Sequence, residues 1–504
     1  EVIMQREGNT RRRKVFWNAW MLIRKRAERV ERLHKRKRFA VCIRGRRREK
    51  AMQIPIRKAV PKINSKGLSF RIKATTKEEL LERVAHIMIV LVFFNSLGFP
   101  GKMTELLGNS LDMGFQYFCF LLEILLMFFY GVTNAKQIAI IDLDKRFFGI
   151  YFYTGVVFVL SMIVTCDRGE QVITCTRLSM TALFAIWISR KLEISKITED
   201  LCKAQWLILI STLLFMALRP DSAFVHEVGD HDFVGIMKTK NNMAAELSLG
   251  ILLFFLQSRY HKLQGTETKK WIALGIVVQG ILLLLCNAKG SLIGALLALC
   301  LLGYDRKIGR FRLPAGLFYV SASALFPTIA LTILPVFEPL LNAIGKDATL
   351  TGRIPLWKQI VNIMTHYHTF TGYGFGMAWR NKTVVFLIHS AFGRYSFMGN
   401  MSTGSHNVIL ELWLNIGLIG VFAYFLMYLT CLGRMQRLSK ERYLFCSVYT
   451  ILFLLFGLTE RSMSPYDYHT LLMFLSLAQG CVWEKPGVAR KQKIQEKNFC
   501  NCKV

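Results

Sequence analysis

Apolar runs long enough to span a bilayer, or nearly so, alternate with short charged segments along most of the chain. They fall at about 84–99, 113–134, 148–166, 172–190, 203–218, 242–257, 270–288, 290–304, 313–337, 406–432, 443–459 and 466–483. This pattern predicts an all-α polytopic membrane protein with about twelve transmembrane helices. The polar segments predict its orientation. Basic residues gather at 135–147, 191–202, 258–269, 305–312, 433–442 and from 484 onward, while 99–112 and 167–171 hold few. Basic loops stay on the cytoplasmic side, so both termini are expected there. Two outer loops are long, 219–241 and 338–405, and long loops in compact proteins usually carry function. The second precedes the tenth span.

Composition agrees with this reading. The 504 residues are 53% hydrophobic with a mean hydropathy of +0.33. These values exclude a disordered chain, a disulfide-stapled secreted domain and a plain cytosolic enzyme as descriptions of the whole. The net charge is +33, of which +19 lies in residues 1–84. Three regions follow: a basic cytoplasmic extension over 1–83, a membrane domain over 84–483 and a basic tail over 484–504. Residues 11–50 read as a basic amphipathic helix on the inner membrane face, as a disordered basic tail, or as extra sequence from a wrong start site. Charge alone does not make a nucleic-acid binder, so nucleic acid is not expected as a partner. The first residue is Glu1, and residues 1–80 contain no signal-peptide core. The 12 cysteines show no zinc spacing; Cys119, Cys286, Cys300, Cys431 and Cys446 lie in apolar runs, where Cys behaves as a small hydrophobe. Cys166 and Cys175 flank a short outer turn and could pair, and Cys500 and Cys502 sit in the tail.

The chemistry concentrates around the second long loop. Segment 351–376, TGRIPLWKQIVNIMTHYHTFTGYGFG, contains a stretch of helical spacing over 353–366. Ile354, Trp357, Ile360, Val361 and Met364 share one face, which predicts a short helix on the membrane surface. Arg353 begins it, where a planar guanidinium beside free backbone N–H groups suits an anion such as phosphate. Gly372, Gly374 and Gly376 predict a flexible turn. This GxGxG lacks the strand–turn–helix setting of a nucleotide site. Residues 405–420 read SHNVILELWLNIGLIG. Ser405 or Asn407 could cap the following helix. His406 at that helix start is a suitable general base near neutral pH, with capping or packing as the alternative.

The spacing His406-Asn407, nine residues, then Gly417-Leu418-Ile419-Gly420 resembles the His-Asn-x9-Gly-x-x-Gly motif of the O-antigen ligase and O-antigen polymerase superfamily. TGR…W at 351–357, GYGFG before the motif and Glu460 after the next span are similar to the family pattern too. The likeness covers roughly 205–465. It implies a metal-independent glycosyltransferase with a GT-C-like fold and a large extracytoplasmic loop before the tenth span, in the cytoplasmic (inner) membrane and acting on its outer face. It implies no cofactor. The donor would be an oligosaccharide on undecaprenyl pyrophosphate, and the acceptor a glycan or lipid in the bilayer. Other polysaccharide-assembly proteins would be natural partners. The products would build O-antigen, capsule or exopolysaccharide, with polymerase favoured over ligase. In this reading His406 deprotonates the acceptor hydroxyl and Arg353 holds the departing pyrophosphate. Lys289, where the family commonly has Arg, supplies a point charge. Asn407, Lys240, Asn242 and Arg219 are further substrate-binding candidates.

Two DxD spellings compete for attention. Asp142-Leu143-Asp144 lies on the inner side, and Asp230-His231-Asp232 lies on the outer loop, where a divalent ion is conceivable but not required. Glu123, Arg177, Glu246 and Glu411 fall within or near spans, where interhelical pairing is the ordinary expectation. A flippase or other transporter of lipid-linked glycans is the main alternative, although no internal repeat is visible.

Overall fold

The structure is a computed structural model. It describes residues 77–97, 109–133, 144–165, 167–227, 230–267, 269–308, 315–333, 336, 353–392, 404–459 and 469–482. Residues 1–76 of the basic extension, the tail with Cys500 and Cys502, Cys166, Asp142, Leu143 and Glu460 lie outside these residues, while 77–83 begin the first helix.

A helix covers most of each of the twelve apolar runs. They are α1 (Lys77–Ser96), α2 (Asn109–Thr133), α3 (Phe148–Val164), α4 (Arg168–Lys191), α5 (Ile194–Leu218), α6 (Lys240–Leu263), α7 (Lys270–Leu285), α8 (Lys289–Ile308) and α9 (Ala315–Thr332). After two helices of the long loop, α10 (Arg353–His366) and α11 (Lys382–Phe392), come α12 (Val408–Leu432), α13 (Lys440–Thr459) and α14 (His469–Cys481). Among the described residues, five segments are long and apolar enough to cross a membrane: Lys145–Val164, Arg168–Lys191, Ile194–Leu218, Val408–Leu432 and Lys440–Leu458. Five shorter apolar helices accompany them, so the chain is a multi-pass α-helical membrane protein. One departure from an all-α reading sits in the 219–241 loop. There β1 (Phe224–Glu227) pairs antiparallel with β2 (Asp230–Phe233), with Phe224 opposite Phe233.

α12 is the central element. α3, α9, α10, α13 and α14 all pack on it. Close approach matters in this setting, because lipid offers no hydrophobic drive for helix association and packing must supply it. At Gly149 of α3 a Cβ would lie 2.0 Å from Thr430 Oγ1 and 3.1 Å from Met427 Cα, so only glycine lets α3 cross α12 here. Tyr319 of α9 stacks on Tyr428 at 3.8 Å, and its hydroxyl meets that of Tyr424 at 2.6 Å.

Polar ties hold both ends of the bundle. At one end Tyr260 of α6 donates to the Glu441 carbonyl of α13 (2.8 Å), and Lys269 pairs with Glu199 (3.1 Å). The opposite end carries the α12 N-terminus and the candidate site.

Candidate functional site

The helix α12 is not continuous. Gly417 adopts φ 66° and ψ −174°, a conformation essentially restricted to glycine. The break strands two carbonyls before it and two N–H groups after it, and in a bilayer such groups must be satisfied internally. The GYGFG loop does this. Tyr373 N donates to Leu414 O (3.1 Å) and Gly374 N to Asn415 O (2.8 Å). On the other side Leu418 N donates to Thr369 O (3.0 Å) and Ile419 N to Phe370 O (3.3 Å). The loop therefore threads into the helix like a strand. Gly372, Gly374 and Gly376 all have positive φ, so this turn is held by specific bonds, unlike the flexible turn expected from sequence. Phe375 is gripped from two more helices: its N–H meets Ser161 Oγ of α3 (3.0 Å), and its carbonyl accepts from Gln171 Nε2 of α4 (3.0 Å).

The motif's own turn is equally determined. Asn407 caps α12, its Oδ1 accepting from Ile409 N (3.0 Å) and Leu410 N (3.1 Å). Its Nδ2 donates to Leu458 O near the end of α13 (3.3 Å). Asn407 is fully buried, so its side chain serves the fold of the turn. His406 has a left-handed backbone (φ 52°) and is partly exposed. A non-glycine residue in that region costs on the order of 1–3 kcal/mol and persists where surrounding contacts impose it. Those contacts are visible on Ser405. Its N–H donates to Glu411 Oε2 (2.9 Å), its hydroxyl to Asn407 O (2.7 Å), and its carbonyl accepts from Trp357 Nε1 (2.7 Å).

Glu411 is the hub that sequence reasoning treated only as a pairing residue. Its carboxylate accepts from Ser405 N, from Trp379 Nε1 (2.9 Å) and from Asn415 Nδ2 (3.1 Å). Asn415 Oδ1 in turn accepts from Gly376 N (2.9 Å). One carboxylate thus joins the His406 turn, the long loop and the helix break. Neither the break nor the role of Asn415 was read from the sequence; a polar residue two before Gly417 inside an apolar run is the signal that could have marked it.

Arg353 opens α10, which docks on α9 and α12 through Ile354, Trp357, Ile360 and Met364, all buried; Val361 is only partly so. Trp357, one turn beyond Arg353, is the residue that bonds Ser405 beside His406. The helix that Arg353 begins is thereby tied to the turn that carries His406. Gln359 Nε2 reaches Leu387 O of α11 (3.0 Å), and Arg380 pairs with Glu170 of α4.

The other candidates share this end of the bundle. Lys289 is exposed at the start of α8; Gly294, five residues on, faces Leu455 of α13, one turn before the Asn407-bonded Leu458. Lys240 begins α6 and pairs with Asp232 of β2, which also accepts from Asn287 Nδ2 (3.3 Å) just before Lys289. The Lys240 ammonium and the Asn287 amide hold the Asp232 carboxyl below the usual range. Asp232 of the outer DxD is therefore engaged by a cation and an amide. Asn242 gives its backbone N–H to the capping Thr239 (3.2 Å), and Arg219 is exposed at the end of α5. Ser248 Oγ of α6 donates to Ser291 O in the first turn of α8 (3.2 Å).

Of the charged residues within spans, Arg177 lies over the Tyr117 ring at 4.5 Å. Glu123 and Glu246 are buried without an ion pair among the described residues, contrary to the expected pairing. Cys175 is a free thiol accepting from Gln171.

Residues 274–425 of this multi-pass membrane protein match the family model described as O-Antigen ligase. That match spans the GYGFG loop, the His-Asn turn and the Gly417 break. The chain is also 27% identical over 270 residues to the exopolysaccharide production protein ExoQ of Rhizobium meliloti (strain 1021). The alignment covers 51% of this chain and 58% of that protein, so it spans little more than half of the relative's length.

Proposed function

We propose that the protein is a membrane glycosyltransferase that builds a surface polysaccharide from glycan carried on undecaprenyl pyrophosphate, with polymerisation favoured over ligation. The observation that carries this reading is the shared anchoring of His406 and Arg353. The Trp357–Ser405 bond ties the helix that Arg353 begins to the turn that carries His406, and the Glu411 hub and the threaded loop fix that turn. The likeness to an exopolysaccharide production protein supports a polymeric product. Among the described residues, the basic segments around 191–202, 258–267 and 433–442 lie at the opposite end, which supports placing this end outside the cytoplasm, with twelve spans and cytoplasmic termini.

In the reaction, His406 takes the proton of an acceptor hydroxyl as that oxygen attacks the anomeric carbon of the donor sugar. The bond from that carbon to the pyrophosphate oxygen breaks, and the leaving group departs as undecaprenyl pyrophosphate. Arg353 faces the charge that develops on it, where an aligned cation outside bulk water is most effective. Lys289, with the Lys240 and Arg219 side chains further along, extends the positive field at the mouth. Asn242 and Asn407 shape the starts of the helices that carry these groups.

The test is transfer in proteoliposomes supplied with the host's lipid-linked glycan. Wild type lengthens the lipid-linked glycan, while His406→Ala and Arg353→Ala lose it by at least a hundredfold with unchanged folding. Transfer to an added lipid acceptor without lengthening selects ligase. Movement of the lipid-linked glycan between leaflets, with no transfer and no effect of His406→Ala, selects the transporter reading instead.

A further inference from the structure

A second polar centre lies deeper in the bundle and takes no part in the chemistry above. Glu246 sits six residues into α6, about 9 Å along the axis from Lys240. It is fully buried, and neither carboxylate oxygen has a hydrogen-bond partner. Gln205 of α5 and Gln279 of α7 converge on the same stretch of α6, both fully buried. Gln205 Nε2 reaches the Glu246 backbone carbonyl at 3.4 Å, which leaves its own Oε1 unpartnered. Both polar atoms of the Gln279 side chain are unpartnered. Gly250, one turn beyond Glu246, makes the convergence possible. A Cβ there would stand 2.0 Å from Gln279 Oε1 and 2.5 Å from Gln205 Nε2. The unpartnered Tyr449 hydroxyl of α13 lies within electrostatic range of Glu246.

A bare carboxylate in such a place is far too costly for a fold to sustain, so either a proton or a bound cation must neutralise it. No lysine, arginine or histidine among the described residues forms an ion pair with Glu246. The site offers four oxygens without a hydrogen-bond partner, the two of Glu246, Oε1 of Gln205 and Oε1 of Gln279, beside the Gln279 amide nitrogen. Hard cations take oxygen ligands, and one carboxylate balances one unit of charge. The geometry points to a buried site for a single monovalent metal cation of the sodium class, held by Glu246, Gln205 and Gln279. A cation there would tie α5, α6 and α7 together beneath the end that carries Lys240. This inference does not depend on the transferase reading.

The experiment uses the full chain purified in detergent in sodium-free choline chloride buffer. Binding of ²²Na⁺ is measured alongside thermal unfolding in sodium and choline salts. The expected result is saturable binding of about one ion per chain, with a melting temperature that rises and saturates with sodium, as linkage requires. Glu246→Gln, a neutral near-isostere, lowers sodium affinity at least tenfold and removes the sodium-dependent rise. Gly250→Ala, which pushes the Gln279 amide away, weakens binding as well. Two results would overturn the proposal. One is wild type without saturable ²²Na⁺ binding and with a stability that follows pH but not sodium, which assigns the neutralising charge to a proton on Glu246. The other is equal sodium binding by wild type and Glu246→Gln, which places any sodium elsewhere.

Discussion

Replacing Gly417 with alanine tests the arrangement on which the site rests. A Cβ at this position would lie 2.1 Å from the carbonyl carbon of Phe370, 2.2 Å from its oxygen and 2.3 Å from Thr371 N. These are backbone atoms, so no side-chain rotation relieves the overlap. The φ of 66° with ψ −174° adds about 1–3 kcal/mol for any residue with a Cβ. Moving the loop away weakens the bonds from Leu418 N and Ile419 N, each worth about 1 kcal/mol net. The expected loss is about 4 kcal/mol in total. Gly280→Ala is the control. A Cβ there meets nothing within 4 Å on α7, and a helical alanine gains up to about 1 kcal/mol over glycine. A thiol-reactive dye reads the unfolding, since seven of the eight described cysteines are buried. Gly417→Ala should lower the melting temperature by several degrees and abolish glycan transfer, while Gly280→Ala should do neither. A Gly417→Ala protein with unchanged melting temperature and transfer would mean that α12 runs continuously and the loop is not threaded through it.

Three further outcomes follow from the same geometry. Asn407→Ala removes the cap and the tie to Leu458, and should cost about 2 kcal/mol, read as a lower melting temperature; Asn407→Asp, which keeps the cap acceptor, should recover part of it. Glu411→Ala leaves Ser405 N and Trp379 Nε1 without their acceptor and should cost about 3 kcal/mol with a large drop in transfer rate, whereas Glu411→Gln should be milder, because an amide oxygen still accepts; equal effects of the two would refute the hub. The Asp232 carboxyl titrates lower in the folded chain than its ordinary value of 3.8. Its contribution to stability is therefore fully present above about pH 4 and disappears as pH falls through the lower folded value. Asp232→Asn should remove that acid-limb component of the stability–pH curve, and an unchanged acid limb would show that the Lys240 pair contributes nothing.

The relation between sequence and structure divides along the range of the interactions involved. The positions of the apolar helices were legible because each apolar run carries its own requirement for burial, and five of them are long enough to cross a membrane among the described residues. Gly417 and Gly420 were legible as a motif, and Arg353 and His406 as chemical candidates, because charge, capping position and spacing are local properties. What only the tertiary structure decided is how these pieces meet. The GYGFG loop and the glycine break lie about forty residues apart in the chain, yet one supplies the missing hydrogen bonds of the other. Glu411 reads from sequence as a charge near a span, and becomes a hub only when Trp379 and Ser405 arrive from different segments. Asn407 proved to be a buried cap, Asp232 a partner for Lys240, and Glu246 a buried carboxyl on a stretch of α6 that two glutamines from other helices approach. Hydrogen-bond partners distant in sequence leave no periodic trace, so composition and spacing named the groups while the packing around α12 assigned their roles.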